Sequence, residues 1–165
     1  MVKKALNIFI IFLICFSTTS ITDNGLFAQK TSQVNWLNFE QLEDSLQVKP
    51  KKVFVFFYAD WCTYCHKMER VAFEDESVIE TLQNDYYVVK MDIESEETIV
   101  FGNTEFKNKN INKRKSVHEI PLMMASRKGK PFSLPAMVLL DQNFEAKARY
   151  FQYIDAQQML EILKN

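Results

Sequence analysis

The chain has 165 residues, with 20 basic and 21 acidic side chains and a formal net charge of −1. This balance excludes a strongly basic protein that binds nucleic acid through its overall charge, so no nucleic-acid partner is expected. The length fits one domain with a normal hydrophobic core.

Residues 1–28 have the composition of a secretory signal peptide. Two lysines begin the segment, residues 5–16 are apolar apart from one asparagine, and residues 26–28 form a suitable cleavage site. At about a dozen residues the apolar stretch is shorter than the roughly 20 that a membrane-spanning helix needs. We therefore expect an exported protein, periplasmic or secreted, with no stable membrane span and with residues 29–165 as its domain.

Cleavage would leave two cysteines. Cys15 leaves with the signal peptide, unless it is lipidated, an alternative that Ile14 disfavours because a small residue is expected there. The remaining chain carries 18 basic and 20 acidic residues, a net charge of −2, and keeps only Cys62 and Cys65. A disulfide between two cysteines separated by two residues closes too short a loop to stabilise the fold much. In an exported protein the pattern therefore indicates a redox pair.

The first elements place this pair at a strand-to-helix junction. Apolar residues at helical spacing predict a helix from about 36 to 47, and the unbroken apolar run 53–58 predicts a strand buried on both faces. From Cys62 onward the spacing suits a helix. A thiol at a helix N-terminus faces unpaired N–H groups that favour the thiolate, so Cys62 is the expected nucleophile. Cys65 would resolve the mixed disulfide by attacking Cys62.

The segment Trp61-Cys62-Thr63-Tyr64-Cys65 after a buried strand resembles the active site of the thioredoxin superfamily, and residues 66–69 resemble its extracytoplasmic disulfide-interchange branch. The resemblance covers about 36–97 and 132–165. It implies an α/β thioredoxin-like three-layer sandwich, with a mixed central sheet and helices on both faces, and an insertion at about 96–131 before the cis-proline.

The resemblance also assigns substrate-binding residues. Pro135 takes the role of the cis-proline beside the active site, and the backbone of Leu134 would pair with a substrate peptide. Trp61 either shapes the substrate surface or packs in the core. Two departures are the pair Thr63-Tyr64 in place of Gly-Pro, and Phe56 where many thioredoxins have a buried carboxylate. The proton relay must therefore differ or be absent.

The later segments follow the same topology. Residues 75–84 predict a helix, and residues 86–93 predict a strand parallel to the first. Residues 136–141 and 145–151 predict an antiparallel hairpin. Asp155 with a glutamine three residues later resembles the capping box of a final helix.

The insertion has its own predicted elements. Residues 99–106 suit a small hairpin turning at Gly102-Asn103, and residues 116–127 suit a helix, provided that Pro121 lies near its start or kinks it. Residues 107–130 hold eight basic side chains and one acidic side chain. This segment is either a solvated loop or a docking surface for an acidic partner.

The motif has two other interpretations. Residues 62–66 spell the C-x-x-C-H attachment signature of c-type haem, but the alternating α/β pattern argues against a cytochrome. A metal-binding protein or metal chaperone could use Cys62, Cys65 and His66, completed by His118 or a methionine. Against this, a histidine on a helix is typically solvated, and the scattered methionines suit core positions.

We therefore interpret the sequence as that of an exported thiol–disulfide oxidoreductase. It would exchange protein disulfides through Cys62 and Cys65, and an upstream redox partner would recycle it. No bound organic cofactor and no metal are required. We expect a monomer, because the sequence has no dimerisation module. The direction of electron flow, towards reduction or oxidation, stays open at this point, with reduction preferred.

Overall fold

The computed structural model describes residues 33–112 and 116–164. The predicted signal peptide, with Cys15, lies outside these residues. Along the described chain, the elements are α1 (Phe39–Val48), β1 (Lys52–Tyr58), α2 (Thr63–Val71), α3 (Glu76–Asp85), β2 (Tyr86–Asp92), β3 (Ile99–Phe101), β4 (Thr104–Phe106), α4 (Glu119–Ala125), β5 (Ala136–Leu140), β6 (Ala146–Tyr150) and α5 (Ala156–Leu163).

Strand β1 lies inside a four-stranded sheet with the order β2-β1-β5-β6. It pairs parallel with β2 and antiparallel with β5, which in turn pairs antiparallel with β6. Residues 53–57 are fully buried. Because successive side chains of a strand point to opposite faces, the odd-numbered and even-numbered residues belong to two separate apolar clusters. The prediction of a strand buried on both faces is confirmed.

Helices cover both faces of this sheet. On one face, α2, α3 and α5 contribute Met68, Leu82 and Met159 to the core. On the other, α1 and α4 contribute Leu42 and Ile120, and the small β3–β4 hairpin packs beside them. This is the predicted three-layer α/β sandwich with a mixed sheet. Within the described part of the chain, no helix is both long enough and apolar enough to cross a bilayer.

Helix α1 begins later than predicted. Asn38 caps it by accepting from the Gln41 backbone N–H at 2.8 Å, and the Gln41 side chain accepts from the Asn38 N–H at 3.0 Å. Trp36, predicted as helical, precedes this cap, and Leu37 instead forms an isolated parallel bridge with Val89. The prediction failed because Trp36 fits the apolar spacing, whereas the reciprocal cap decides where the helix starts.

The insertion contains the predicted hairpin and a shorter helix. Gly102 and Asn103 have φ values of 59° and 57°, and they join β3 to β4. Helix α4 spans seven residues, not the predicted twelve, because His118 caps its start. Pro121 therefore lies in the first turn, where a backbone N–H has no partner within the helix. Residues 113–115 of the predicted basic surface lie outside the described residues.

Candidate active site

Cys62 and Cys65 lie where β1 passes into α2, and they form a disulfide with an S–S distance of 2.07 Å. Cys62 is the N-cap of α2, and its Sγ accepts from the Cys65 backbone N–H at 3.1 Å. The Cys62 N–H donates to the Ala59 carbonyl at 2.9 Å, which closes the turn between strand and helix. The predicted placement of both cysteines at the junction and in the first helical turn is confirmed.

The two cysteines differ in accessibility. Cys62 retains 4% of its surface and Cys65 retains none. Cys62 is therefore largely buried, but it is the cysteine of the pair that a reactant in solution can reach. Its cap position also places the sulfur at the N–H groups of the first turn, which favour a thiolate over a thiol.

Pro135 lies at the same end of the sheet as the cysteines. The Leu134–Pro135 peptide bond is cis. Pro135 directly precedes β5, and the first residue of β5, Ala136, pairs with Phe57 near the end of β1. Leu134 is partly exposed and packs against both core clusters. The tertiary structure thus brings together residues that are separated by about seventy positions in the sequence.

Aromatic side chains flank the disulfide on the protein surface. Trp61 and Tyr64 are 59% and 61% exposed. The Trp61 indole N–H donates to Glu94 Oε2 at 3.0 Å, and Tyr64 lies 6.1 Å from the ring of Tyr153. The core interpretation of Trp61 is therefore wrong, because more than half of this side chain is exposed and its indole bonds to the partly exposed Glu94. Trp61 and Tyr64, on either side of Cys62 in the sequence, thus present exposed aromatic rings at the active-site turn.

Phe56 occupies the position six residues before Cys62 and is fully buried. Its ring centroid lies 5.0 Å from that of Phe73 and 6.1 Å from that of Trp36. The side chain at this position therefore packs among aromatic rings of the core.

A carboxylate does lie near the active-site turn, but it comes from α2. Glu69 forms an ion pair with Lys90 of β2, and it lies 3.2 Å from Nδ1 of His66. The Lys90 ammonium also lies over the ring of Tyr58, 4.3 Å from its centroid. Burial works to raise the pKa of Glu69, but hydrogen bonds from Lys90 and His66 outweigh burial and lower that pKa.

This network was not predicted from the sequence. His66 was interpreted as a solvated helix residue, yet its Nε2 lies 2.7 Å from the Asp60 carbonyl oxygen. The hydrogen bond to Asp60, followed by that to Glu69, raises the pKa of His66. The spacing of His66 and Glu69, three positions apart on a helix, was the available sequence signal. The sequence gives no such signal for Lys90, because Lys90 lies on β2 and not on α2.

The second histidine lies in the insertion and is fully buried. Nδ1 of His118 accepts from the Ile120 backbone N–H at 3.2 Å, so Nε2 carries the proton and donates to the Glu97 carbonyl at 3.1 Å. Both histidines of the metal hypothesis thus have their ring nitrogens engaged within the protein. Among residues 33–112 and 116–164, no group of three His, Cys, Asp or Glu side chains is placed to hold a metal ion.

The described basic side chains of the insertion are partly neutralised. Lys107 pairs with Glu105 at 2.9 Å, and Lys109 pairs with Glu119. Arg127 donates to the Ser133 hydroxyl at 2.6 Å. The two ion pairs reduce the positive field expected from the composition alone, and the Arg127–Ser133 bond anchors the insertion to the segment that leads into Pro135.

Comparison with known families agrees with this architecture. A family model described as a thioredoxin-like domain matches residues 39–165. Over 56 residues the chain is 38% identical to the thiol:disulfide interchange protein DsbD of Campylobacter jejuni, a match that covers 34% of this chain and 10% of that protein. The chain thus spans about a tenth of the length of the curated relatives it matches.

Two solved structures support the fold. A thioredoxin from Thermus thermophilus matches with a TM-score of 0.57 at 17% identity, covering 81% of this chain and 86% of that chain. The DsbH oxidoreductase matches with a TM-score of 0.53 at 17% identity, covering 82% and 85%. At this level of identity, these similarities concern the arrangement of strands and helices.

Proposed function

Because the chain belongs to the thioredoxin-like domain family and resembles its disulfide-interchange members, we propose that it is an exported thiol–disulfide oxidoreductase that reduces protein disulfides. The observation that carries the proposal is the disulfide between the N-cap and the third residue of α2. The composition of residues 1–28 supports export.

The reduced protein begins the reaction. The Cys62 thiolate attacks one sulfur of the substrate disulfide, forms a mixed disulfide, and releases the other substrate sulfur as a thiolate that takes a proton from solvent. Cys65 gives its proton to solvent, and its thiolate then attacks Cys62 Sγ. This step breaks the mixed disulfide, restores the Cys62–Cys65 disulfide and releases the second substrate sulfur as a thiolate that takes a proton from solvent, so two electrons pass from the protein to the substrate. An upstream dithiol partner returns them.

The surroundings of Cys62 suit a peptide substrate. Trp61 and Tyr64 offer exposed apolar rings on which side chains of a substrate can pack. The backbone of Leu134, held by the cis bond to Pro135, offers peptide groups for pairing with an extended chain. We assign Trp61, Leu134 and Pro135 to substrate binding on these grounds.

A trapping experiment tests the roles of the two cysteines. Cys65→Ala should accumulate a mixed disulfide through Cys62, because no neighbouring thiol remains to break it. The adduct should survive acid quenching, and mass spectrometry of the larger band would identify the partner. Cys62→Ala is the matched control and should trap little, since Cys65 is fully buried. Equal trapping by the two variants would refute the assignment.

The reduction potential tests the direction. The residues between the cysteines, Thr63 and Tyr64, lack the histidine with which strong oxidants of the superfamily stabilise the thiolate. We expect a potential nearer to about −270 mV, typical of thioredoxin, than to about −120 mV, typical of the strong oxidant. Equilibration with glutathione or dithiothreitol buffers measures it. A value above about −150 mV would recast the protein as a donor of disulfides.

A further inference from the structure

The imidazole of His66 joins two parts of the active-site turn. His66 lies one helical turn after Cys62, and its backbone N–H donates to the Cys62 carbonyl at 3.2 Å. Its ring reaches in two directions. Nε2 lies 2.7 Å from the carbonyl oxygen of Asp60, before the cysteines, and Nδ1 lies 3.2 Å from Oε2 of Glu69, further along α2.

Both neighbours of this ring are hydrogen-bond acceptors. A backbone carbonyl can only accept, and the Glu69 carboxylate also only accepts, because it is ionised against Lys90. An imidazole donates from both nitrogens only when it carries both protons. The geometry therefore favours the imidazolium form of His66, in contrast to His118, whose Nδ1 accepts a backbone N–H.

The carboxylate end of this bridge is itself anchored. Lys90 holds Glu69 from β2, and it stacks on Tyr58 at the end of β1. His66 therefore connects the turn that contains the nucleophile to the Glu69 carboxylate, which Lys90 holds from β2. The titratable groups that face it are Asp60 in the turn and Glu69 on α2, with Lys90 and Tyr58 behind Glu69.

We propose that His66 is a positioning residue for Cys62: as an imidazolium it bridges the Asp60 carbonyl and the Glu69 carboxylate, holds the Cys62 turn on α2, and places a positive charge one helical turn from the thiolate. This inference rests on the proposed function, in which Cys62 is the nucleophile. Loss of the His66 proton removes one of the two donations and the charge together, so the thiolate of Cys62 becomes less favoured.

The first test measures the reactivity of Cys62 in the reduced protein. His66→Gln removes the charge and leaves a side chain that cannot span both acceptors in the same way. We expect alkylation by iodoacetamide near neutral pH to slow by about three- to tenfold, with a raised pKa of Cys62 in the ultraviolet titration of the thiolate. Arg70→Gln removes an exposed charge from the same helix and is the matched control, expected to change the rate by less than about twofold.

The second test observes the two histidines directly. Nitrogen NMR of the imidazole rings should show both nitrogens of His66 protonated at about pH 6. In the neutral ring of His118 the proton should lie on Nε2, because Nδ1 accepts from the Ile120 N–H. Glu69→Gln should lower the pKa of His66. The double variant His66→Gln/Glu69→Gln should slow alkylation by less than the product of the two single effects, because both substitutions break one bridge.

Equal alkylation profiles for folded wild-type protein and folded His66→Gln would overturn the inference, as would a neutral His66 at about pH 6. Circular dichroism establishes that each variant is folded. These measurements need no protein substrate, so they are independent of the trapping experiment. A slowed His66→Gln together with no trapped partner would support the positioning role while counting against the proposed function.

Discussion

The active-site turn, residues 59–69, and the insertion, residues 96–131, both depend on polar side chains, but they use them differently. In the turn, His66 pairs with Glu69, and Lys90 reaches Glu69 from β2. In the insertion, Asn108 and His118 are buried and neutral partners of backbone groups. The first arrangement influences the chemistry of a thiol, whereas the second determines only the path of the chain.

Burial explains the difference between the two regions. An uncharged amide or imidazole can be enclosed completely once its donors and acceptors are matched. Charged groups remain partly exposed, as with the 43% exposed side chain of His66, because full burial of a charge costs far more than a hydrogen bond returns. Because His66 and Glu69 are partly exposed, both can gain or lose a proton, so the active-site turn responds to pH. The amide of Asn108 in the insertion does not ionise.

The largest expected effect is the loss of folding stability when a phenylalanine beneath each region is replaced by alanine. Phe56→Ala should lower the free energy of unfolding by about 3–5 kcal/mol, because Phe56 is fully buried and its removal opens a cavity beside the buried ring of Phe73. Phe101→Ala in the insertion should cost about 1–2 kcal/mol, since Phe101 is only partly buried. Urea denaturation measures both. A larger loss for Phe101→Ala would reverse the comparison.

The next effect tests whether a buried polar residue of the insertion contributes to stability without affecting the reactivity of Cys62. Nδ2 of Asn108 donates to the Ser95 carbonyl and the Ser116 hydroxyl, both at 3.2 Å. Asn108→Ala should therefore destabilise the protein by about 1–3 kcal/mol, because it leaves buried acceptors without a donor. The exposed Asn112, changed to Ala, is the matched control and should stay within about 0.5 kcal/mol.

Alkylation of Cys62 should be the same in Asn108→Ala as in the wild type, within about twofold, since no charge near the thiol changes. A slower reaction would show that the insertion transmits its order to the active-site turn, for example through Glu94, which bonds Asn108 by its carbonyl and Trp61 by its carboxylate.

A smaller effect appears in the pH dependence of stability. The pKa of Glu69 is lowered from its ordinary value of 4.5, so its contribution is present above that value and is lost as the pH falls through the folded pKa. The pKa of His66 is raised from 6.5, so its contribution is present below 6.5 and is lost as the pH rises through the folded pKa. Both groups are favourably charged between 4.5 and 6.5.

The difference in unfolding free energy between the wild type and Glu69→Gln should therefore be largest between pH 4.5 and 6.5 and decrease on either side. Urea unfolding across this range measures it, and added salt should reduce it because the pair is partly exposed. A difference that is constant with pH would mean that Glu69 acts through packing alone.

The smallest effect concerns the part of the insertion at Lys113, Arg114 and Lys115, which lie outside the described residues. Reversing all three to Glu should leave turnover of a small disulfide such as oxidised glutathione unchanged within about twofold, while slowing reaction with an acidic protein disulfide. Neutral replacement by Gln is the control and should give an intermediate protein rate. Collapse of the small-molecule activity would place the insertion in the active site.

The sequence by itself determined the features that depend on neighbouring residues. The apolar run 53–58 gave a strand buried on both faces, and the cysteines fell at the start of the helix that follows. The turn at Gly102-Asn103 was predicted because both residues tolerate positive φ. The cap of α5 by Asp155 was predicted for a similar reason, since its partner lies three residues away.

Tertiary structure decided which of these local features meet. The pairs Glu69–Lys90 and Trp61–Glu94 join residues from separate elements, and the position of Pro135 at the cysteine end of the sheet depends on the register between β1 and β5. A sequence pattern describes one helix or strand at a time. Contacts between elements require the chain to close long loops and to offset that entropy by packing, so the Glu69–Lys90 ion pair behind His66 exists only once β2 has paired with β1.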